Sequence, residues 1–65
     1  MEKERNAYVV KLEGGNMTIV KALTRAKAEQ WGRLMYGSYM YVGLKEATED
    51  DIDWVILMGG MIHEA

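Results

Sequence analysis

The chain predicts an α+β domain: a three- or four-stranded antiparallel sheet with one helix packed across it. Three observations carry this expectation. Two strand-like runs flank a Gly-Gly pair, a threonine-capped stretch places apolar residues at helical spacing, and a further alternating run follows. The expected order is β-β-α-β-α, with a short terminal strand as an addition, in one domain over residues 1–65.

Ala7-Tyr8-Val9-Val10-Lys11-Leu12 is the first strand, with Tyr8, Val10 and Leu12 on one face. Gly14-Gly15 turns the chain, because both residues adopt positive φ without strain. Met17-Thr18-Ile19-Val20-Lys21-Ala22 returns, with Met17, Ile19 and Lys21 opposite Thr18, Val20 and Ala22. Thr24 caps a helix from about Arg25 to Tyr36, closed by Gly37. Ala28, Trp31, Gly32 and Met35 form its buried stripe, and Arg25, Glu29 and Arg33 an i, i+4 ladder on a solvated face.

Ser38 to Glu46 alternates as a third strand, with Met40, Val42 and Leu44 on one face and Tyr39, Tyr41, Gly43 and Lys45 on the other. One covered sheet face then suffices, and the helix covers it. Met35 and Met40, on inward faces, serve as core filling. Thr48-Glu49-Asp50-Asp51 starts a second helix: Thr48 caps it, Asp51 reaches back, and three acids sit on the positive end of the helix dipole. Gly59-Gly60 stops it. A buried strand over Trp54–Met58 competes with this helix, since a short apolar run fits both. Met61-Ile62-His63 supplies the short terminal strand.

Composition narrows the function. A chain of 65 residues has a thin stability margin, and small domains usually add disulfides, a metal or a partner chain. There is no cysteine, and a single histidine (His63) cannot make an ordinary zinc site, so no metal or cofactor is expected. Self-association or very good packing remains, with a homodimer as the default. The charged start Met1–Asn6 does not resemble a signal peptide, and no apolar run approaches a membrane span, so a cytoplasmic, membrane-free protein is expected. Residues 1–33 carry seven Lys/Arg against four Asp/Glu, and residues 34–65 one lysine against six acids. Charges of +3 and −5 thus make up the net −2.

No catalytic motif is present. His63 lacks a nucleophile in any recognisable arrangement and falls in a segment prone to fraying, and neither glycine pair continues into a phosphate-binding loop. Non-enzymatic binding is expected. Lys21, Arg25, Lys27 and Arg33, with Tyr39 and Tyr41 as a stacking face, suggest nucleic-acid binding as a third reading. The acidic balance and missing signatures weigh against it.

The sharper candidate lies in Thr48–Gly60. Four carboxylates in five residues (Glu49, Asp50, Asp51, Asp53) precede an unbroken apolar run. The acids are too compact for a phosphate-backbone mimic, which spreads charge along a long surface, but they suit docking to a basic protein surface. On a helix, Ile52, Val55, Ile56 and Gly59 share the face that packs on the sheet. Trp54, Leu57 and Met58 fall on the other side with Asp50, the composition of a binding hot spot.

The strand ending Ile19-Val20-Lys21-Ala22, followed by Thr24-Arg25-Ala26-Lys27-Ala28, resembles a layout recurring among small bacteriophage and prophage-encoded inhibitor proteins, including inhibitors of host RNA polymerase and anti-CRISPR proteins. The pattern from Ala47-Thr48 to Gly59-Gly60 is similar to the tails of small prophage proteins. The resemblance is one of layout over most of the chain and carries no functional residues across. It implies a viral protein that binds a host macromolecule in the host cytoplasm and blocks it. In that reading Glu49, Asp50, Asp51 and Asp53 steer the chain to a basic host protein, and Trp54, Leu57 and Met58 anchor it. A homo-oligomeric module, with Trp54, Leu57 and Met58 meeting their own copies, is the alternative.

Overall fold

A computed structural model describes residues 5–65 and shows an α+β domain. Residues 1–4 of the charged start lie outside the described residues. Strands β1 (Asn6–Leu12) and β2 (Met17–Ala22) form the expected hairpin. Its turn, Glu13–Gly15, holds Gly14 at φ 82° and Gly15 at φ 81°, values strained for any residue with a Cβ. Helix α1 (Arg25–Met40) follows, then β3 (Tyr41–Glu46), helix α2 (Glu49–Leu57) and β4 (Ile62–Glu64).

The strand order is β3-β1-β2-β4. β1 pairs antiparallel with both β2 and β3, whereas β4 lies parallel to β2, with Ile62 opposite Ile19 and His63 opposite Val20. The sheet is therefore mostly, not wholly, antiparallel. A parallel neighbour needs a crossover, which the chain makes through β3 and α2 before it reaches the β2 edge.

Both faces of the central hairpin are covered, where one was expected to suffice. Tyr8, Val10, Val20 and Ala22 pack with Ala28 of α1. Val9 and Ile19, on the opposite face, pack with Val55 of α2, flanked by Met17, Ala47, Ile52 and Ile62. The consecutive pairs Val9-Val10 and Ile19-Val20 are each essentially inaccessible, as strands buried on both faces require.

α1 is capped as expected: the Thr24 hydroxyl accepts the Lys27 N–H at 3.2 Å. Its regular part ends at Gly37 (φ 70°, ψ 176°), and Ser38–Met40 forms a further helical turn where strand was expected. The buried stripe also differs. Ala28 and Gly32 are buried, but Tyr36 continues the row and Met35 is exposed. Steps of four residues rotate by about 40° around the helix, so a 28-32-36 row takes Tyr36 inward and leaves Met35 to the side.

The expected inward face of β3 is corrected as well. Pairing slips by one residue between Lys11↔Gly43 and Leu12↔Tyr41, so a bulge lies at Val42. Tyr41 and Leu44 therefore both pack against the α1 side, while Met40 and Val42 are exposed. Gly32 makes room for this: a Cβ there would sit 2.9 Å from Tyr41 Cε1 and 3.2 Å from Val10 Cγ1. Burial, with Glu29 nearby, pushes the Tyr41 phenol above its ordinary pKa.

Arg25, Glu29 and Arg33 do more than line a solvated face. Arg25 Nη2 donates to the Leu44 carbonyl of edge strand β3 at 2.9 Å, and the Arg33 guanidinium lies 5.3 Å from the Tyr41 ring centre while paired with Glu29 at 3.0 Å. A backbone carbonyl that an edge strand would offer to another chain is thus occupied.

Candidate functional site

α2 begins with the expected capping box. The Asp51 N–H donates to Thr48 Oγ1 at 3.2 Å, and the Thr48 N–H donates to Asp51 Oδ2 at 3.0 Å. Asp51 Oδ2 also accepts the Thr48 hydroxyl at 3.0 Å and lies 3.4 Å from Lys45 Nζ. The backbone hydrogen bond from Thr48 leads in holding the Asp51 carboxyl below its ordinary pKa, and Lys45 adds to it. Asp51 is thereby engaged within the fold. Glu49, Asp50 and Asp53 are exposed.

The helix ends in a Schellman motif. The Gly60 N–H reaches the Val55 carbonyl at 2.8 Å, the Gly59 N–H reaches Ile56 at 3.0 Å, and Gly59 has φ 82°. The stop at Gly59-Gly60 and the helical state of Trp54–Leu57 both match the expectation, and the competing strand over this segment is set aside.

Only part of the apolar run is spent on the sheet. Ile52 and Val55 pack beneath β1 and β2, and Val55 is the sole buried residue of α2. Trp54 is 52 % exposed, Leu57 77 % and Met58 68 %. Ile56, expected on the sheet, is also more than half exposed, because so short a helix reaches the sheet along one narrow line. Met61, just past the stop, adds to the exposed apolar surface. Ile56 and Met61 escaped sequence reasoning, since their exposure depends on where α2 crosses the sheet rather than on spacing.

Helical spacing puts Asp50, Asp53, Trp54 and Leu57 at i, i+3, i+4 and i+7, a single face opposite Ile52 and Val55. The structure thus brings together on α2 three exposed acids and three exposed large apolar side chains of the expected set, with Asp51 withdrawn into the cap. Exposed apolar side chains and carboxylates adjoin on one side of α2.

Tyr41 and His63 are taken up in packing. Tyr41 lies under α1, and Tyr39 projects from the turn after Gly37, so no two-tyrosine strand face exists for bases to stack on. His63 is held in β4 rather than frayed, its ring 5.1 Å from that of Trp31, which also meets Tyr36 edge-on at 5.9 Å. No cluster of three or more potential metal ligands occurs among the described residues. No helix among them is long and apolar enough to cross a membrane. Comparisons with protein-family models, curated proteins and solved structures return no match to this chain.

Proposed function

We propose that this chain is a non-enzymatic binding protein that occupies a basic surface of another protein, in a host cytoplasm, and blocks it. One observation carries the reading: Trp54 and Leu57 stand in solvent on the same face of α2 as Asp50 and Asp53. A fold this small gains by burying such side chains, and tryptophan is among the residues enriched at the hot spots of protein interfaces. The acids raise the rate of encounter with a basic partner and the apolar residues slow its departure. The phage-inhibitor resemblance of the layout agrees with this role and contributes nothing to the choice of residues.

The test is capture of partner proteins from bacterial lysate by the immobilised chain. Trp54→Ala should lower retained partner at least about tenfold, the scale of a hot-spot truncation. Asp50→Asn/Asp53→Asn should slow association and flatten its salt dependence. Equal capture by wild type and both variants, with unchanged circular dichroism, rules the assignment out.

A homo-oligomeric module is the second reading. Large apolar side chains are exposed on α1 as well as α2, including Leu34, Met35 and Tyr39.

A further inference from the structure

Helices α1 and α2 cover opposite faces of the sheet, and the uneven charge of the sequence is distributed between them. α1 carries Arg25, Lys27 and Arg33 against Glu29 alone, whereas α2 carries Glu49, Asp50, Asp51 and Asp53 with no basic residue. Both leave apolar side chains in solvent, Leu34 and Met35 on one and Trp54, Leu57 and Met58 on the other.

These facts discriminate between two ways of covering α2. A two-fold pairing of α2 faces would press Asp50 and Asp53 toward their own copies, setting like charges around the apolar centre. On the outer side of α1 the charged side chain is Lys27, of the opposite sign, whereas Arg25 is bonded to the Leu44 carbonyl and Arg33 is paired with Glu29 over Tyr41. That side also holds an open hollow of about 260 Å³ lined by Lys27, Gln30, Trp31, Leu34 and Ala65. The four helical residues are spaced i, i+3, i+4 and i+7, so the hollow runs along one side of α1 with Trp31 and Leu34 as its apolar walls and Lys27 at its rim. It is large enough for one aromatic or leucine side chain.

Resting on the reading of α2 as a docking face, we propose that α2 of one copy docks on the α1 face of a second copy. Trp54 or Leu57 enters the hollow beside Trp31 and Leu34, and Asp50 and Asp53 face Lys27. The two surfaces differ, so the contact is heterologous. The docked pair keeps one face of each kind free, and association continues into a ring or open chain instead of ending at a two-fold dimer. The same α2 face is covered by self-association and by a foreign basic partner, so the two compete.

Sedimentation of the full chain over a range of concentrations tests this. The weight-average mass of wild type should rise past that of a dimer, and less so when salt is raised. Trp54→Ala/Leu57→Ala, which disables the α2 face, and Lys27→Ala/Leu34→Ala, which disables the α1 face, should each weaken association at least about tenfold. Mixed together, the two variants should form a 1:1 complex that grows no further, because each supplies the face the other lacks. All substituted positions are exposed, so each variant should keep the circular dichroism spectrum of wild type.

A wild type that stays monomeric, or a fixed-mass dimer that Lys27→Ala/Leu34→Ala leaves intact, overturns the head-to-tail contact. Failure of the docking reading itself looks different. If self-association is absent but lysate capture still depends on Trp54, only the self-contact falls. If capture is also independent of Trp54, the α2 docking face falls with it.

Discussion

Replacing Gly32 with alanine sets two known effects against each other at one atom. In the interior of a helix, Gly→Ala gains about 1 kcal/mol from reduced backbone entropy in the unfolded chain. Here the added methyl would stand 2.9 Å from Tyr41 Cε1, 3.0 Å from Tyr41 Cδ1 and 3.2 Å from Val10 Cγ1. Carbon pairs prefer about 3.5–4.0 Å, so the neighbours must withdraw by about half an ångström or more. Val10 is fully buried in the central strand and has nowhere to go. The Tyr41 ring can shift only by disturbing the Arg33 guanidinium 5.3 Å from its centre, a contact worth about 0.5–1 kcal/mol at an exposed site. Overpacking of this kind costs about 1–3 kcal/mol, so the clash outweighs the helical gain. The expected result is a net loss of about 1–2 kcal/mol. For a domain this size that lowers Tm by roughly 5–15 °C, in a molecule whose whole stability is about 3–10 kcal/mol. Urea unfolding followed by circular dichroism measures it, with the m value unchanged. The same substitution in a Tyr41→Ala background should be at least about 1 kcal/mol less harmful, since the main obstacle is gone. A Gly32→Ala protein as stable as wild type, or more stable, refutes the close approach of α1 to β3.

Further outcomes follow from the helix ends. Gly60→Ala would place its Cβ 2.6 Å from Val55 Cγ1 and 3.0 Å from the Val55 carbonyl oxygen, displacing the one buried residue of α2. Unfolding should show a loss of about 2 kcal/mol or more. Gly59→Ala meets no neighbour but must hold φ 82°, so its loss should be smaller, about 1–2 kcal/mol. Thr48→Ala removes the cap of α2 and should lower stability by about 1 kcal/mol at neutral pH. The Asp51 carboxyl, held below its ordinary value of 3.8 in the folded chain, contributes stability that is fully present above that value. That stability is lost as pH falls below 3.8 through the folded pKa. Unfolding curves recorded through this range should therefore fall more steeply for wild type than for Asp51→Asn. Trp54→Ala, by contrast, should change stability by less than about 1 kcal/mol, because half of the side chain is already in solvent. A larger loss would place Trp54 in the core.

The ends of α2 are written in local sequence, whereas its path across the sheet is not. Thr48, Asp51, Gly59 and Gly60 act on backbone groups within a few positions of themselves, so cap and stop could be inferred from order alone. Trp54, Leu57 and Met58 were legible as surplus for a similar reason: no single line of contact can bury a helix that is apolar nearly all round. The exposure of Ile56 was not legible, since it depends on the angle at which α2 meets β2.

The same division holds for the whole chain. The α+β class, the Gly14-Gly15 hairpin, the Thr24 cap and the facing of β1 and β2 follow from local rules, in which period, turn chemistry and capping act over a few residues. Tertiary structure alone decided that β4 runs parallel beside β2, that a bulge at Val42 turns Tyr41 inward, and that the second sheet face is covered by α2. It also decided that the charge asymmetry of the sequence becomes two faces on opposite sides of one sheet. These outcomes rest on contacts between residues distant in sequence, where a one-residue slip in pairing exchanges the faces of a strand and leaves no mark on local periodicity.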